Sequence, residues 1–194
     1  HSMGVTIARD DLMRYIGPPL RKTFAEHFSE PEKVEEAAER YRMSYAVKGS
    51  HECDAYPGVP EMLRRLKDAD LMLCTATCKP IEVVTPILRE KGLADYFDFI
   101  GGASMDVSRD TKTDVIRYVL SQPMLQGKRV LMVGDRNDDM QGAANCGLDV
   151  AAVLYGYGSR EELSPFEPLF MAKDCAALTN WILTRVDKPE DLHS

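Results

Sequence analysis

The chain reads as an α/β protein: a three-layer, Rossmann-like parallel sheet with a helical segment in front of it. Two observations predict this. From Tyr56 onward, short apolar runs alternate with helical stretches of about ten residues, the pattern of a parallel sheet covered on both faces. Before Tyr56 the chain is helical in texture, with no strand signal except a short one at Val5–Ala8.

Each element has a local reason. Asp10–Ile16 reads as a short helix with an acidic first turn, broken by Gly17-Pro18-Pro19. Proline suits the start of the next helix, Leu20–Phe28. Ser29 is the expected N-cap of a longer helix, with Pro31 in its first turn and Glu32 three residues on. That helix runs to about Val47, and Val34, Ala37, Ala38, Tyr41 and Tyr45 share one face. Beyond the Pro57-Gly58 turn, helices are expected over Val59–Lys67, Ile81–Lys91, Thr113–Ser121, Asp138–Cys146 and Cys175–Val186. Strands are expected over Leu71–Ala76, Phe97–Ile100 (ending in Gly101-Gly102), Val130–Val133, Val150–Leu154 and Phe170–Ala172. The domain reading is a helical segment over 4–52 and an α/β core over 53–190, with residues 1–3 a tag remnant.

Composition narrows the function. The 194 residues carry 24 Lys+Arg against 31 Asp+Glu, a net charge of −7, which disfavours nucleic acid as a partner. No apolar run approaches the roughly 18 residues of a membrane helix, and no signal peptide opens the chain. The five cysteines form no C-x-x-C pair, which fits a reduced, cytoplasmic protein. Of the four histidines, two are near the ends and none sits beside a candidate cluster, so chemistry falls to Asp, Lys and hydroxyls.

In an open parallel sheet, ligands bind outside the carboxyl ends of the strands. After the first expected strand comes Thr77-Cys78-Lys79-Pro80, after the second a loop leading to Lys112, and after the third Gly134-Asp135-Arg136-Asn137-Asp138-Asp139. A hydroxyl, helix N-terminal amides and an ammonium suit a phosphate dianion. Carboxylates beside a phosphate suit Mg²⁺. Each residue also has a plain reading. Thr77 could cap the following helix, Lys112 could be a solvated lysine, and Asp135, Asn137 and Asp138 are N-cap types. Cys74 and Cys78 could simply flank a buried strand. Co-occurrence at successive strand ends favours the chemical reading.

This constellation resembles the haloacid dehalogenase-like phosphatases, in particular their phosphoglycolate phosphatase-like branch, from about Asp10 to Val186. Ile16-Gly17-Pro18-Pro19-Leu20 looks like that branch's cap, and Tyr56-Pro57-Gly58-Val59 like its return to the core. Thr77-Cys78-Lys79-Pro80 resembles the second motif, whose hydroxyl and following amide hold the phosphoryl group. Lys112 sits where the third-motif lysine is expected, and Gly134–Asp139 matches the fourth, G-D-x-x-x-D. The stretch from Val153 to Leu163 also looks like this branch. The resemblance implies Thr77 and Lys112 as catalytic residues, Thr77, Cys78 and Lys79 as phosphate-binding, and Asp135 and Asp139 as Mg²⁺ ligands.

One part of the pattern is missing. The family's first motif, D-x-D-x-[TS] at the end of an N-terminal strand, supplies the nucleophile and the acid–base, and these residues contain no such motif in that context. Asp68-Ala69-Asp70 precedes a strand instead of following one, and Asp10-Asp11 opens a helix. No nucleophile is found. The family's first strand lies mid-sheet, between the strands ending at Ala76 and Val133, so a gap is expected there. A folded-back Val5–Ala8, a neighbouring chain, or residues missing upstream would account for it. The expected function is a Mg²⁺-dependent phosphatase of small phosphomonoesters such as phosphoglycolate, acting through an aspartyl-phosphate in the parent protein. These residues by themselves are expected to be inactive. A non-catalytic phosphate- or Mg²⁺-binding protein is the alternative, and a phosphomutase the rival within the family. The expected partner is a small phosphorylated metabolite, with no nucleic acid and no membrane. An unpaired sheet edge also raises the prospect of a homodimer.

Overall fold

The structure, a computed structural model, describes residues 3–8, 12, 15–16, 19–45 and 53–186. The expected helix over Asp10–Ile16, the Gly17-Pro18 break and the boundary near residue 52 fall largely outside that set. Val5–Ala8 is described and forms no strand.

Two helices open the described fold: α1 (Leu20–Ala25) and α2 (Pro31–Ser44). They pack on each other through Phe24 against Tyr41, edge to face at 6.3 Å, with Val34, Ala37 and Ala38 buried between them. The predicted apolar stripe holds for those three residues but not for Tyr41, which stays exposed and stacks on Tyr45 at 5.8 Å. The N-cap of α2 is Glu30, not Ser29, and no side chain caps it. Pro31 takes the first helical position, where its missing N–H costs nothing.

The α/β part follows: α3 (Val59–Asp68), β1 (Cys74–Pro80), α4 (Ile81–Glu90), β2 (Phe99–Ala103), α5 (Lys112–Leu120), β3 (Leu131–Gly134), α6 (Asn137–Ala144), β4 (Asp149–Val153), α7 (Arg160–Leu163), β5 (Phe170–Ala172) and α8 (Cys175–Val186). All five predicted strands exist, and every pairing is parallel. The ends of β3 and β4 lie one residue from expectation, and those of β1 and β2 differ by more. β1 starts at Cys74 instead of Leu71, because its partner β2 begins at Phe99, opposite Cys74. It continues beyond Ala76 to Pro80 through a register shift that pairs Pro80 with Ala103. Gly101 and Gly102 lie inside β2 and do not end it. A Cβ on Gly101 would sit 2.7 Å from the Thr75 carbonyl oxygen, and one on Gly102 2.6 Å from that of Lys79.

Helices cover both faces. On one side of β4, Val150 and Ala152 pack with Ile116 of α5, Met140 and Ala143 of α6, and Leu163. On the other, Ala151 and Val153 pack with Leu178 of α8, flanked by Met62, Trp181 and Ile182. Alternate residues of one strand thus feed two apolar layers, as a strand buried on both faces requires.

The sheet is not continuous. β1 and β2 form one sheet, and β3, β4 and β5 another in the order β3-β4-β5. Between the edges of β1 and β3 lies a cavity of about 700 Å³ lined by Leu71–Ala76 and Val130–Gly134. The gap expected from the sequence is present, and no described residue pairs across it.

The lower end of β1 is held by Asp98. Its carboxylate accepts the Leu73 N–H at 2.8 Å and pairs with Lys67 at 2.7 Å, while its own N–H donates to the Leu73 carbonyl. The Lys67 and Leu73 donors hold the Asp98 carboxyl below the usual range. A carboxylate whose pKa drops on folding stabilises the fold above its unfolded pKa and loses that contribution as pH falls through the folded value. Asp98→Ala is expected to cost about 1 kcal/mol, or roughly 2–4 °C in Tm at neutral pH, and the difference from the parent should shrink as thermal melts are repeated toward pH 3.

Candidate active site

The strand-end residues converge on Lys112, the first residue of α5. Thr111 caps that helix by accepting the Asp114 N–H at 3.2 Å, which sets where Lys112 begins. A cation at a helix N-terminus opposes the helix dipole and needs compensation. It gets it from two sides. Its Nζ donates to the Ala76 carbonyl at the end of β1, 2.7 Å, and pairs with Asp139 Oδ1 on α6, 2.7 Å. Burial is the largest influence and works to lower the Lys112 pKa, but the Asp139 carboxylate, with Asp135 adding to it, outweighs it and holds the pKa above its ordinary value. Lys112 is therefore a fixed positive charge and not the solvated lysine of the plain reading.

Asp139 is fully engaged. Its second oxygen, Oδ2, accepts the N–H groups of Asp135 and Arg136, both at 3.1 Å. It binds the loop after β3 to the start of α6, so its two oxygens serve Lys112 and the backbone. Asp135 projects from that loop, and its Oδ2 accepts the Tyr157 N–H at 2.7 Å. Burial is the main cause that pushes the Asp135 carboxyl up, with Asp139 adding to it and the Tyr157 N–H opposing it. Asp138 pairs with Lys22 of α1 through Oδ1 at 3.0 Å, and its Oδ2 is buried without a partner.

Thr77 does not cap α4. Its hydroxyl accepts the N–H of Lys79 at 3.1 Å, and the N-cap position belongs to Pro80. The turn at Thr77–Lys79 lies within the bulge of β1, beside the Ala76 carbonyl that Lys112 grips. Cys78 is enclosed next to Lys112, Asp139, Asp138 and Asp110, and burial pushes its thiol up, so it stays a neutral S–H. Lys79 points elsewhere. It retains solvent access, but its crowded surroundings lower its pKa, and its ammonium stands over the Tyr45 ring at 5.2 Å. The structure thus gathers Thr77, Cys78, Lys112, Asp135 and Asp139 at one place and sets Lys79 toward the helical segment.

Several contributors lie in stretches the sequence marks but were given no role of their own from it. Arg136 pairs with Glu162 of α7 at 2.9 Å and donates to the Ile16 carbonyl. Gly158 permits the loop after β4 to lie on the Asp135 backbone, where any Cβ would collide with the Asp135 carbonyl oxygen. The sequence marks Tyr155-Gly156-Tyr157-Gly158 as a glycine-permitted loop that could line the site, and close backbone approach is the reason for the glycine at 158. Tyr56 and Tyr157 stand beside Asp135, and burial, followed by those neighbours, pushes the Tyr56 hydroxyl up to about 12.

Among the described residues no group of three or more His, Cys, Asp or Glu side chains forms a metal cluster. Mg²⁺ does not require one, because one or two carboxylates plus water and substrate phosphate usually hold it. The half-buried Asp135 carboxyl and the unpartnered buried oxygen of Asp138 are hard donors of that kind, so the residues present fit such an ion.

A family model described as haloacid dehalogenase-like hydrolase matches residues 1–153. The chain belongs to the haloacid dehalogenase-like hydrolases. Among its relatives is a 5'-nucleotidase from Pseudomonas aeruginosa, 34% identical over 86% of this chain and 76% of that protein. A phosphoglycolate phosphatase from Vibrio vulnificus is 32% identical over 76% of this chain and 65% of its own length. The tyrosine-protein kinase PtkA of Mycobacterium tuberculosis is 36% identical over 80% of this chain, which spans about half (54%) of that protein. A solved structure of a predicted phosphatase from Clostridium acetobutylicum superposes with a TM-score of 0.88 at 34% identity, covering 94% of this chain and 86% of that one. Phosphatases are thus prominent among the relatives of this hydrolase-family chain. No described helix is long and apolar enough to cross a membrane.

The Lys112–Asp139 pair lends itself to a double-mutant cycle. Lys112→Met leaves Asp139 buried without its cation and should cost on the order of 3 kcal/mol, read as a lower midpoint in urea. Adding Asp139→Asn to Lys112→Met should recover part of that loss, giving a coupling energy of about 1 kcal/mol or more. Separately, Gly158→Ala should cost roughly 1–3 kcal/mol in the same assay, because the Asp135 backbone must move to admit the methyl group.

Proposed function

We propose that this chain carries the phosphoryl-binding part of a Mg²⁺-dependent phosphatase for small phosphomonoesters, of which phosphoglycolate is the leading candidate. The observation that carries the reading is the position of Lys112, a buried fixed charge held between the end of β1 and the head of α6. Thr77, with its hydroxyl and the amides of the following turn, would bind the phosphoryl oxygens beside that charge. Cys78 would contribute its backbone and not its thiol. Lys79 would reach the substrate body from the helical side. Asp135 would be the Mg²⁺ ligand, with Asp139 orienting Lys112 and the loop. When bound, Mg²⁺ would supply positive charge to the phosphoryl oxygens. Helices α1 and α2 would act as a cap that excludes water. The kinship to a 5'-nucleotidase and to phosphoglycolate phosphatases supports the substrate class.

The family's aspartyl-phosphate route needs a carboxylate nucleophile within reach of the phosphoryl group. Asp139 is occupied, and Asp135 is committed to Tyr157 through one oxygen. These residues alone would therefore bind phosphate and Mg²⁺ without hydrolysing the ester, which is the non-catalytic reading applied to this stretch of chain. A phosphomutase would use the same groups.

Two assays on the 194-residue chain test this. Titration calorimetry with orthophosphate and Mg²⁺ should show binding that Lys112→Met weakens at least tenfold. Phosphate release from p-nitrophenyl phosphate and 2-phosphoglycolate should stay at background. Absence of orthophosphate binding would sink the phosphoryl-site reading. Release that vanishes in Asp135→Asn would instead show that a carboxylate within these residues acts as nucleophile.

A further inference from the structure

The first turn of α6 breaks a local rule. Arg136 stands at its N-cap, a position that favours Ser, Thr, Asp or Asn because their side-chain oxygens accept the first free amides of the helix. A guanidinium has only donors. The missing acceptor comes from another element. Glu162, in the first turn of α7, reaches across, and its Oε1 accepts both the Asn137 N–H and the Arg136 Nε–H at 2.9 Å. Its own place is fixed. Ser159 accepts the Glu162 N–H at 3.2 Å, and the next residue, Leu163, is fully buried. Departures from local rules that are repaired from a distance concentrate at functional places.

The stretch from Tyr157 to Glu162 thus grips the loop after β3 at three points. The Tyr157 N–H meets the Asp135 carboxylate, Gly158 lies against the Asp135 carbonyl, and the Glu162 carboxylate holds the two residues that follow. From the other side, Asp139 accepts the N–H groups of Asp135 and Arg136. Three successive amides, those of Asp135, Arg136 and Asn137, therefore end on carboxylates and are taken up in holding the loop. What the arrangement sets is the aim of Asp135. The far end of Arg136 is anchored as well, because its Nη1 donates to the Ile16 carbonyl. The side chains of Arg136 and Glu162 are 13% and 25% exposed, so solvent screens the pair little.

We propose that Arg136 and Glu162 are positioning residues for the cation site: together they hold the loop so that the Asp135 carboxylate stays in aim. The proposal rests on the reading of Asp135 as a Mg²⁺ ligand. A small ion that demands near-ideal octahedral geometry tolerates little displacement of a carboxylate, so a loop freed at Asn137 loses the ion before it loses the fold. Thr77 and Lys112 are held by other partners, so the phosphoryl-binding groups keep their places.

Mn²⁺, which shares the preference of Mg²⁺ for carboxylate and water, is the probe, and electron paramagnetic resonance of the free ion reads its binding. Glu162→Ala should weaken Mn²⁺ binding about tenfold, the usual effect of removing a group that orients a metal ligand. Metal-free orthophosphate affinity, by calorimetry, should change less than about twofold. Glu162→Gln keeps an acceptor for the Asn137 N–H and should bind Mn²⁺ within about threefold of the parent, which separates positioning from plain charge attraction. Arg136→Lys keeps the charge without the planar fork. It should also weaken Mn²⁺ binding, and it carries the test if Glu162→Ala does not fold by circular dichroism. Combining the two substitutions should cost little beyond the larger single effect, since the residues act as one unit. Absence of Mn²⁺ binding by the parent chain would remove the cation-site reading and this proposal with it. Parent binding that both Glu162→Ala and Arg136→Lys leave unchanged would overturn the positioning role alone. So would a Gln variant as weak as the Ala variant, an equal loss of orthophosphate affinity, or fully multiplicative losses in the double variant.

Discussion

The placement of one ammonium group organises this molecule. Lys112 sits where a helix dipole and a dry environment both work against a positive charge, and it stays charged because Asp139 and the Ala76 carbonyl flank it. Each of those partners is tied to a different sheet. Ala76 is in β1, and Asp139 holds the loop leaving β3 by accepting two of its backbone N–H groups. The carboxyl ends of two sheets with no hydrogen bond between them are thereby fixed relative to each other by a charge-assisted contact. The strength of such a bond depends on its being buried and fully satisfied, and here both oxygens of the carboxylate are used.

The same contact explains how an interrupted sheet remains a single layer. Across the cavity, apolar packing acts from above and below. α5 packs on β1, β2 and α6, while α3 and α8 pack together on the opposite face. Helices thus span a gap that strands do not close. They cannot supply the hydrogen bonds the two edges lack, so the gap retains a strongly directional demand.

Much of this was legible in the sequence, and the misreadings share a cause. The alternation of apolar runs and ten-residue helices gave the strand order of elements correctly, because burial on both faces leaves a continuous apolar signal. Strand ends were less legible, since a ladder begins and stops with its partner. Leu71–Leu73 is apolar but has no β2 residue opposite, and Thr77–Pro80 is polar but stays paired through a bulge. Gly101-Gly102 looked like a terminator and is a close-packing site. The gathering of Thr77, Lys112, Asp135 and Asp139 was readable from their places after successive strands. How the two aspartates divide their work was not, because that depends on which backbone N–H groups each oxygen meets. Ser29 had the right residue type for a cap, yet Glu30 holds the position.

The helical segment meets the strand ends in a different manner from the core. Its contacts there are ionic or polar: Lys22 with Asp138, Arg21 with Asp110, and the Ile16 carbonyl with Arg136. Of these, the Lys22–Asp138 pair has an exposed lysine, and such pairs contribute about 0–1 kcal/mol each and weaken with salt. Such an attachment suits an element that must separate to admit a ligand. With the helical segment in this position, Asp138 Oδ2 is buried without a partner, which carries a cost. A cation bound at that oxygen would remove the cost, and the closed segment would in turn shield the cation from water. Under the proposed reading, closure and metal binding therefore favour each other by the same free energy, as linkage demands.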